Sequence, residues 1–223
     1  YYLSKGAVTW GSGTSGVKGV VSSANSLVGS SAGDRVGSYG ITQLSNGDYL
    51  VSSPEWASGG SYSSGLGAVT WGNGETGVSG VVSSSNSLMG SSIGDQVGSG
   101  GITTLSDGNY LVLSPQWGSG GSYGSGIGAV TWGNGSPPFS SGVVDSKNSL
   151  VGSAPGAFYG FLSDGEGAFG SSGITELGAN RLLINSQLEL NAAGKLDLVS
   201  IDPSSFIGTP GYTCLLYTSP SPR

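Results

Sequence analysis

The chain has 223 residues, 44 of them Gly and as many Ser, and its formal net charge is −6 with no His and one Cys. These counts exclude a His-dependent catalytic triad, a His-ligated metal site and a cysteine cluster, so no cofactor is expected. The acidic balance argues against nucleic acid as a partner, and apolar runs of only a few residues argue against insertion into a membrane.

Aromatic residues separate this chain from a flexible linker of similar Gly and Ser content. It holds five Trp and ten Tyr, and 36% of its residues are hydrophobic. Disordered segments are poor in aromatic residues, so we expect a packed core with the glycines at turns. The sequence starts at Tyr1 without the pattern of a signal peptide, and we interpret it as an internal fragment of a longer protein.

A 61-residue repeat organises the chain. Residues 1–5 are interpreted as the end of a truncated preceding repeat, repeat 1 spans residues 6–66, and repeat 2 spans residues 67–127. Both repeats begin GAVTWG, and 17 of their 61 positions differ. Self-similarity of this length predicts that each repeat is one structural unit packed against its neighbours.

A third, divergent repeat is predicted at residues 128–190. It keeps GAVTWGNG and NSLVGS, and an insertion near residues 157–170 lengthens it. Residues 185–213 are less rich in Gly, and residues 191–213 are expected to be a diverged blade or the start of the next module. The spacing of Leu188, Leu190, Leu196, Leu198 and Ile201 predicts two strands around a turn at residues 193–195.

The last ten residues, 214–223, differ abruptly in composition. They read CLLYTSPSPR, which resembles the translation of a sequencing-library adapter, and we expect them to be a non-native tail. The alternative is a genuine Pro/Ser linker. Under the first interpretation Cys214 is an artefact, and the remaining chain has no cysteine.

Each repeat contains four short apolar runs between turn residues. In repeat 2 and the start of repeat 3 these runs are residues 81–82 with 87–89, 102–105, 110–113 and 129–132. Helices are not expected, because Gly recurs throughout the repeats and costs about 1 kcal/mol in a helix interior. The pairs Asn46-Gly47 and Asp107-Gly108 predict hairpins with tight type I′ turns.

The apolar runs do not alternate with polar residues, and this predicts strands buried on both faces. YLV at residues 49–51 and AVTW at residues 68–71 place apolar side chains on both sides of a strand. We therefore predict an all-β fold of tandem four-stranded blades of a partial β-propeller. A β-solenoid is the alternative, but its coils of roughly 20 to 30 residues would leave a shorter period inside the repeat.

Several motifs resemble known families. DQVG at residues 95–98, GGITTLSDGNYLVLSPQW and the following GAVTWGNG are similar to an FG-GAP repeat, the blade of integrin-type β-propellers, with Ser114-Pro115 at the family's Gly-Ala-Pro position. The sequence motifs NSLVGS, GD-x-VG and GAVTWGNG also resemble repeats of large bacterial exoproteins that are filamentous-haemagglutinin-like or adhesin-like. These resemblances imply a propeller and a secreted or cell-surface location.

One departure from the FG-GAP pattern concerns calcium. The family's loop carries several carboxylates, because Ca²⁺ takes six to eight oxygen ligands. The matching positions here offer only Asn46 and Asp48, or Asp107 and Asn109. We interpret them as turn residues and expect no bound metal, with Ca²⁺ binding as the alternative.

Acidic residues give little support to an enzyme. Asp34 and Asp95 recur 61 residues apart, which favours a structural role in each repeat over a catalytic pair. Asp145, Asp164 and Glu166 are a candidate acidic cluster in repeat 3. Its insertion, AFYGFLSDGEGAF, is interpreted as a solvated loop with partly buried aromatics, or alternatively as a protruding contact loop.

The aromatic residues are candidates for the core and for binding. Trp10, Trp71 and Trp132 occupy strands and are expected in the core. Four others, at strand ends or in the loops that follow, are weak candidates for a rim that binds sugar or protein, because aromatic rings present apolar area beside polar groups: Trp56, Tyr62, Trp117 and Tyr123. For the two Trp residues, anchoring of the loop is the favoured interpretation.

Two functions follow from these observations. The first is a non-catalytic, adhesin-like scaffold of a secreted or cell-surface protein, which contacts an extracellular protein or glycan and packs against neighbouring repeats of the same longer chain. The second is a supporting β-propeller module of an extracellular hydrolase or lyase. The sequence has no group of polar residues that occurs only once, as a catalytic site would, and this favours the adhesin-like scaffold.

Overall fold

The computed structural model describes residues 4–122, 125–152, 155, 174–177, 181–186 and 195–200. They form short β-strands joined by turns, which confirms the predicted all-β class. Within these ranges, no helix is long and apolar enough to cross a membrane.

The strands follow the repeat. Repeat 1 contains β1 (Ala7–Val8), β2 (Leu27–Val28), β3 (Ile41–Gln43) and β4 (Tyr49–Ser53). Repeat 2 contains β5 (Ala68–Gly72), β6 (Gly80–Val81), β7 (Ser87–Met89), β8 (Ile102–Thr104) and β9 (Tyr110–Ser114). Later strands are β10 (Ala129–Gly133), β11 (Gly142–Val143), β12 (Ser149–Val151), β13 (Ile174–Glu176), β14 (Arg181–Ser186) and β15 (Lys195–Ser200). The predicted apolar runs are therefore confirmed as strands.

Four sheets result, and successive repeats share the first three. The first sheet has the order β1-β2-β6, the second β11-β7-β5-β4-β3, the third β12-β10-β9-β8 and the fourth β13-β14-β15. In the second sheet β4 of repeat 1 pairs antiparallel with β5 of repeat 2, with Leu50 opposite Trp71. The third sheet repeats this pairing between β9 and β10. Each repeat therefore completes the sheet that the previous repeat begins.

A second kind of pairing also crosses between repeats. The short strand β6 of repeat 2 runs parallel to β2 of repeat 1, with Gly80 opposite Leu27. In the same way β11 of repeat 3 runs parallel to β7, with Gly142 opposite Leu88. These strands lie at the edge of a sheet whose other strands come from earlier in the chain.

The hydrophobic core lies between the faces of successive sheets. Because Leu50 and Val51 point to opposite faces of β4, they belong to different clusters, and both are fully buried. The expected burial of strands on both faces is confirmed. The first core, between the first two sheets, contains Leu27, Val36, Val51, Ala68, Val82 and Met89. The second core, between the second and third sheets, contains Leu44, Leu50, Val69, Leu88, Val97, Tyr110, Val112, Ala129 and Val144.

The hairpins form where Asn-Gly and Asp-Gly predict them, but the turn type differs from type I′. That type requires positive φ at both central residues. Here Gly47 has a φ of 93° and Gly108 a φ of 89°, whereas neither preceding residue has positive φ. The Leu44 amide donates to the Asp48 carbonyl at 2.8 Å. The loop is therefore one residue longer, and only its Gly needs the left-handed region.

The three tryptophans predicted in strands differ in placement and burial, since Trp71 and Trp132 lie in β5 and β10 but Trp10 lies two residues beyond the end of β1. Trp132 is buried in a third core, which also contains Val130 of β10 and Leu182 of β14. Trp10 and Trp71 are half-buried, contrary to the expectation that all three are core residues. The Trp71 ring stacks on Phe139 of repeat 3 at 4.7 Å between centroids. The Trp10 indole N–H donates to the Gly74 carbonyl of repeat 2 at 2.9 Å. Both rings lie over a loop of the next repeat, where one side remains accessible to solvent.

The last two strands differ in part from the prediction. β15 begins at Lys195, which was expected in the turn, and pairs antiparallel with β14. The expected strand residues Leu188 and Leu190 lie outside the described residues. The insertion near residues 157–170 and the tail at residues 214–223 also lie outside them.

Candidate functional site

A cleft of about 200 Å³ lies where repeat 1 meets repeat 2. Tyr39 reaches it from the segment before β3, and Glu55 from the turn that follows β4. Tyr62 and Ser63 belong to the loop between β4 and β5, and Gln96 comes from the GDQVG turn of repeat 2. The cleft thus collects side chains from three loops and two repeats.

Buried aspartates position the loops that carry these residues. Asp34 is fully buried, and its carboxylate accepts hydrogen bonds from the Ser31 amide at 2.8 Å and the Ala57 amide at 3.1 Å. It therefore ties the GSSAGD loop to the turn that contains Glu55. Asp95 does the same in repeat 2, since it accepts from the Ser92 amide at 2.9 Å and the Gly118 amide at 3.0 Å. This recurrence supports the structural role predicted for both residues.

Glu55 provides a buried carboxylate at the cleft. Only 2% of its surface is exposed. Its oxygens accept hydrogen bonds from the Ser63 amide at 3.2 Å and from the Gln96 side-chain amide at 3.3 Å. Burial raises the pKa of Glu55, while the Ser63 hydrogen bond and the positive charge of Arg35 oppose the rise.

The backbone around the cleft is strained. Among the described residues, four that are not Gly have positive φ: Arg35 (47°), Ala57 (60°), Ser63 (63°) and Gln96 (44°). Ser63 and Gln96 line the cleft, and Ala57 is two residues from Glu55. Such conformations cost about 1–3 kcal/mol each and concentrate at functional sites, where the surrounding structure maintains them.

An aromatic and a cationic side chain meet at the rim. The Arg35 guanidinium carbon lies 5.8 Å from the centre of the Tyr62 ring, within the range of a cation–π interaction. The Tyr62 side chain is 74% exposed. The predicted candidate Tyr62 therefore presents a ring to solvent beside Glu55 and Gln96.

The remaining aromatic candidates lie elsewhere. Trp56 packs against the first core and Trp117 against the second. The indole N–H of each is buried and has no hydrogen-bond partner among the described residues. Tyr123 lies outside the described residues. The structure therefore brings one of the four candidates, Tyr62, to the cleft.

The acidic candidates within the described residues accept hydrogen bonds from backbone amides. Asp145 accepts from the Lys147 amide at 2.8 Å, and Asp48 accepts from the Gly74 amide at 2.9 Å. Asp164 and Glu166 lie outside the described residues. Within the described ranges, no three His, Cys, Asp or Glu side chains are grouped as a metal site.

Sequence reasoning missed most of the cleft, although a signal was present in the differences between the two repeats. Arg35 is replaced by Gln96 in repeat 2, Tyr39 by Gly100 and Glu55 by Gln116. Ala57 and Ser63, two of the strained residues, are replaced by Gly118 and Gly124. Five of the 17 differing positions thus surround one site.

Comparison with known proteins identifies the repeat. Residues 2–38, 43–99 and 104–160 match a sequence family described as "Repeat of unknown function (DUF5650)". The second and third matched segments begin 61 residues apart, in agreement with the period read from the sequence. No curated protein matches the chain. The match supports a repeat protein, whereas the likeness to FG-GAP and haemagglutinin-like repeats remains a resemblance.

Proposed function

Because the chain belongs to the DUF5650 family of repeats, we propose that it is a non-catalytic, adhesin-like scaffold of a secreted or cell-surface protein that binds a glycan. Its stacked sheets act as β-propeller-type blades, and the cleft between repeats 1 and 2 accepts one neutral sugar unit. The observation that carries this proposal is that the hydrogen-bonded Glu55–Gln96 pair lines one cleft together with Tyr39 and Tyr62.

The strand order supports blades over the coils of a solenoid. Strands β3, β4, β5 and β7 are neighbours in one sheet and pair antiparallel, as do β8, β9, β10 and β12 in the next. Successive sheets pack face to face through apolar cores. Propeller blades are four-stranded sheets packed in this way, whereas a parallel β-helix pairs its coils in parallel.

The chemistry of the cleft suits a sugar. A pyranose ring has an apolar C–H face, which packs on an aromatic ring such as Tyr62, and hydroxyl groups around its edge. A carboxylate accepts hydrogen bonds from two such hydroxyls, and a side-chain amide both donates and accepts. Glu55 and Gln96 supply these groups, and few, well-placed polar groups among aromatic walls are typical of small-molecule sites.

The size and charge of the cleft support binding rather than catalysis. Its volume of about 200 Å³ lies below the roughly 300–1,000 Å³ of pockets that enclose drug-sized ligands, so it suits one ring of a longer chain. Glycoside hydrolysis generally uses two carboxylates about 5–9.5 Å apart. Among the described residues that line the cleft, Glu55 is the one carboxylate.

A glycan array followed by calorimetry tests the proposal. We expect the chain to bind at least one neutral oligosaccharide of glucose, galactose, mannose or N-acetylglucosamine. Because stacking on an exposed ring would be lost, Tyr62→Ala should weaken this binding by about tenfold, which corresponds to about 1.4 kcal/mol.

The control is Ile93→Ala, which truncates an exposed apolar side chain outside the cleft and should leave affinity unchanged. Glycan binding that survives both Tyr62→Ala and Tyr39→Ala would place the ligand elsewhere and refute the proposal. Binding to extracellular proteins but to none of the oligosaccharides would also refute it.

A further inference from the structure

Repeat 1 exposes apolar side chains whose counterparts in repeat 2 pack in or against a core. Val21 is 57% exposed and Val17 is also exposed, as is Ala7 of β1. Their counterparts Val82, Val78 and Ala68 pack in or against the first core. We call the exposed set the repeat 1 surface: Ala7, Val17 and Val21. An apolar patch of this kind on a stacked sheet indicates a surface that normally packs against something.

The equivalent residues of repeats 2 and 3 show what covers such a surface. Val82 and Val144, the counterparts of Val21, are 2% and 1% exposed. The Val82 amide donates to the Val28 carbonyl at 3.2 Å, and the Val144 amide donates to the Met89 carbonyl at 2.9 Å. In both cases the partner belongs to the preceding repeat, and the side chain enters the core between two sheets.

The strand at the start of each repeat shows the same contrast. Ala68 and Ala129, the counterparts of Ala7, are fully buried. Their strands β5 and β10 pair on both edges, with β4 and β7 in one sheet and with β9 and β12 in the next. Within the described residues, β1 pairs on one edge, with β2.

These contrasts define what a partner that covers the repeat 1 surface must provide. It must offer an extended strand that pairs antiparallel with β1, as β4 pairs with β5. It must also offer a sheet edge that pairs parallel with the backbone of Val20, as β2 pairs with β6. One further repeat of this type carries both elements at the correct spacing. In a second copy of the described chain, β4 and β9 could not take this place, because each already pairs on both edges.

We infer that the repeat 1 surface is the docking surface for one further repeat of the same type, joined ahead of Gly6. The interface continues those between repeats 1 and 2 and between repeats 2 and 3. It is independent of the glycan proposal, because none of the residues that line the cleft belongs to the repeat 1 surface.

An extended chain tests this inference, with a second copy of residues 6–66 inserted before Gly6 so that the new junction repeats the Leu66-Gly67 sequence. In the original chain, Val21→Asp should lower the melting temperature by less than about 2 °C, because Val21 is exposed. In the extended chain, the same change should lower it by more than about 5 °C, since it would place a charge in a core. Ile93→Asp, at an exposed position, should have the same small effect in both chains.

Amide hydrogen exchange provides a readout that does not depend on the variant. In the extended chain the Val21 amide should become at least about tenfold better protected, as expected for the hydrogen-bonded Val82 amide. Equal tolerance of Val21→Asp in both chains, together with unchanged exchange at Val21, would overturn the inference. An original chain that sediments as a dimer, and becomes monomeric with Val21→Asp, would assign the surface to a second copy and would also overturn it.

Discussion

Glu55 is a buried carboxylate whose hydrogen bonds and nearby Arg35 do not fully offset the cost of burying its charge. Its carboxylate accepts hydrogen bonds from Ser63 and Gln96, and its turn is fixed by the buried Asp34. Burial nevertheless raises its pKa, which means that the folded protein favours the protonated form more than the unfolded chain does. At neutral pH the burial of this ionised carboxylate lowers the stability of the fold. Such destabilising groups occur at functional sites, where the carboxylate binds a ligand.

The pH dependence of stability follows from the direction of this shift. Because the pKa of Glu55 is higher in the folded protein, its contribution to stability is fully present below the unfolded pKa and is lost as the pH rises through the folded pKa. Glu55→Gln removes that dependence and introduces the residue that repeat 2 carries at Gln116.

We therefore expect the melting temperature of Glu55→Gln, relative to the parent chain, to increase between about pH 4 and about pH 8. Other acidic groups titrate in both proteins, so the difference isolates Glu55. A difference that stays constant or decreases over this range would show that the pKa is not raised.

At the residue level, the sequence predicted the roles that recur. The spacing of Asp34 and Asp95 predicted a turn role, and both carboxylates accept hydrogen bonds from backbone amides of their own loop and of the neighbouring loop. The cleft was not predicted, because Tyr39 and Glu55 are ordinary residues for a loop. Their significance depends on loops that meet only after the repeats have stacked.

At the level of elements, tyrosine rings that pack over Gly residues of the neighbouring strand determine how the two strands pack. Tyr110 of β9 lies opposite Gly133 of β10, and a Cβ atom at Gly133 would overlap the tyrosine ring. Tyr49 and Gly72 form the same pair one sheet earlier. The buried Tyr110 belongs to the second core, so a shift of its ring would disturb the packing between two sheets.

Gly133→Ala tests this packing directly. We expect it to reduce the free energy of unfolding by about 2 kcal/mol, the typical cost of overpacking a core. Gly13→Ala is the matched control, since Gly13 has no atom within 4 Å of the position of a Cβ, and it should change stability by less than about 0.5 kcal/mol. Chemical denaturation measures both, and equal effects of the two substitutions would contradict the packing described here.

The strands themselves were predictable, but their partners were only partly so. Short apolar runs between Gly-containing turns identified β8, β9 and β10, because a run of this kind has few other stable conformations. The parallel pairing of β6 with β2 was not predicted. The strand Gly80–Val81 has two residues, too few to show an alternation of apolar and polar side chains. Its pairing depends on a contact with a different repeat rather than on its own sequence.

At the scale of the whole molecule, nearly identical repeats form a common framework on which one site is distinct. Repeats 1 and 2 share 44 of 61 positions, and the shared residues supply the cores and the buried aspartates. Five of the differing positions surround the cleft, where the strained residues Ala57 and Ser63 of repeat 1 replace Gly in repeat 2. Substitution at such sites, on a framework that tolerates it, is how a repeat protein acquires a binding site without changing its fold.

Exchange of these five residues for their repeat 2 counterparts tests the central claim most directly. The variant Arg35→Gln, Tyr39→Gly, Glu55→Gln, Ala57→Gly and Ser63→Gly should keep the cooperative thermal unfolding of the parent, because each new residue occupies the same position in repeat 2. Calorimetric titration with the neutral oligosaccharide that binds the parent best should show affinity reduced by at least about tenfold, or about 1.4 kcal/mol. A folded variant that binds this oligosaccharide as tightly as the parent would contradict the account.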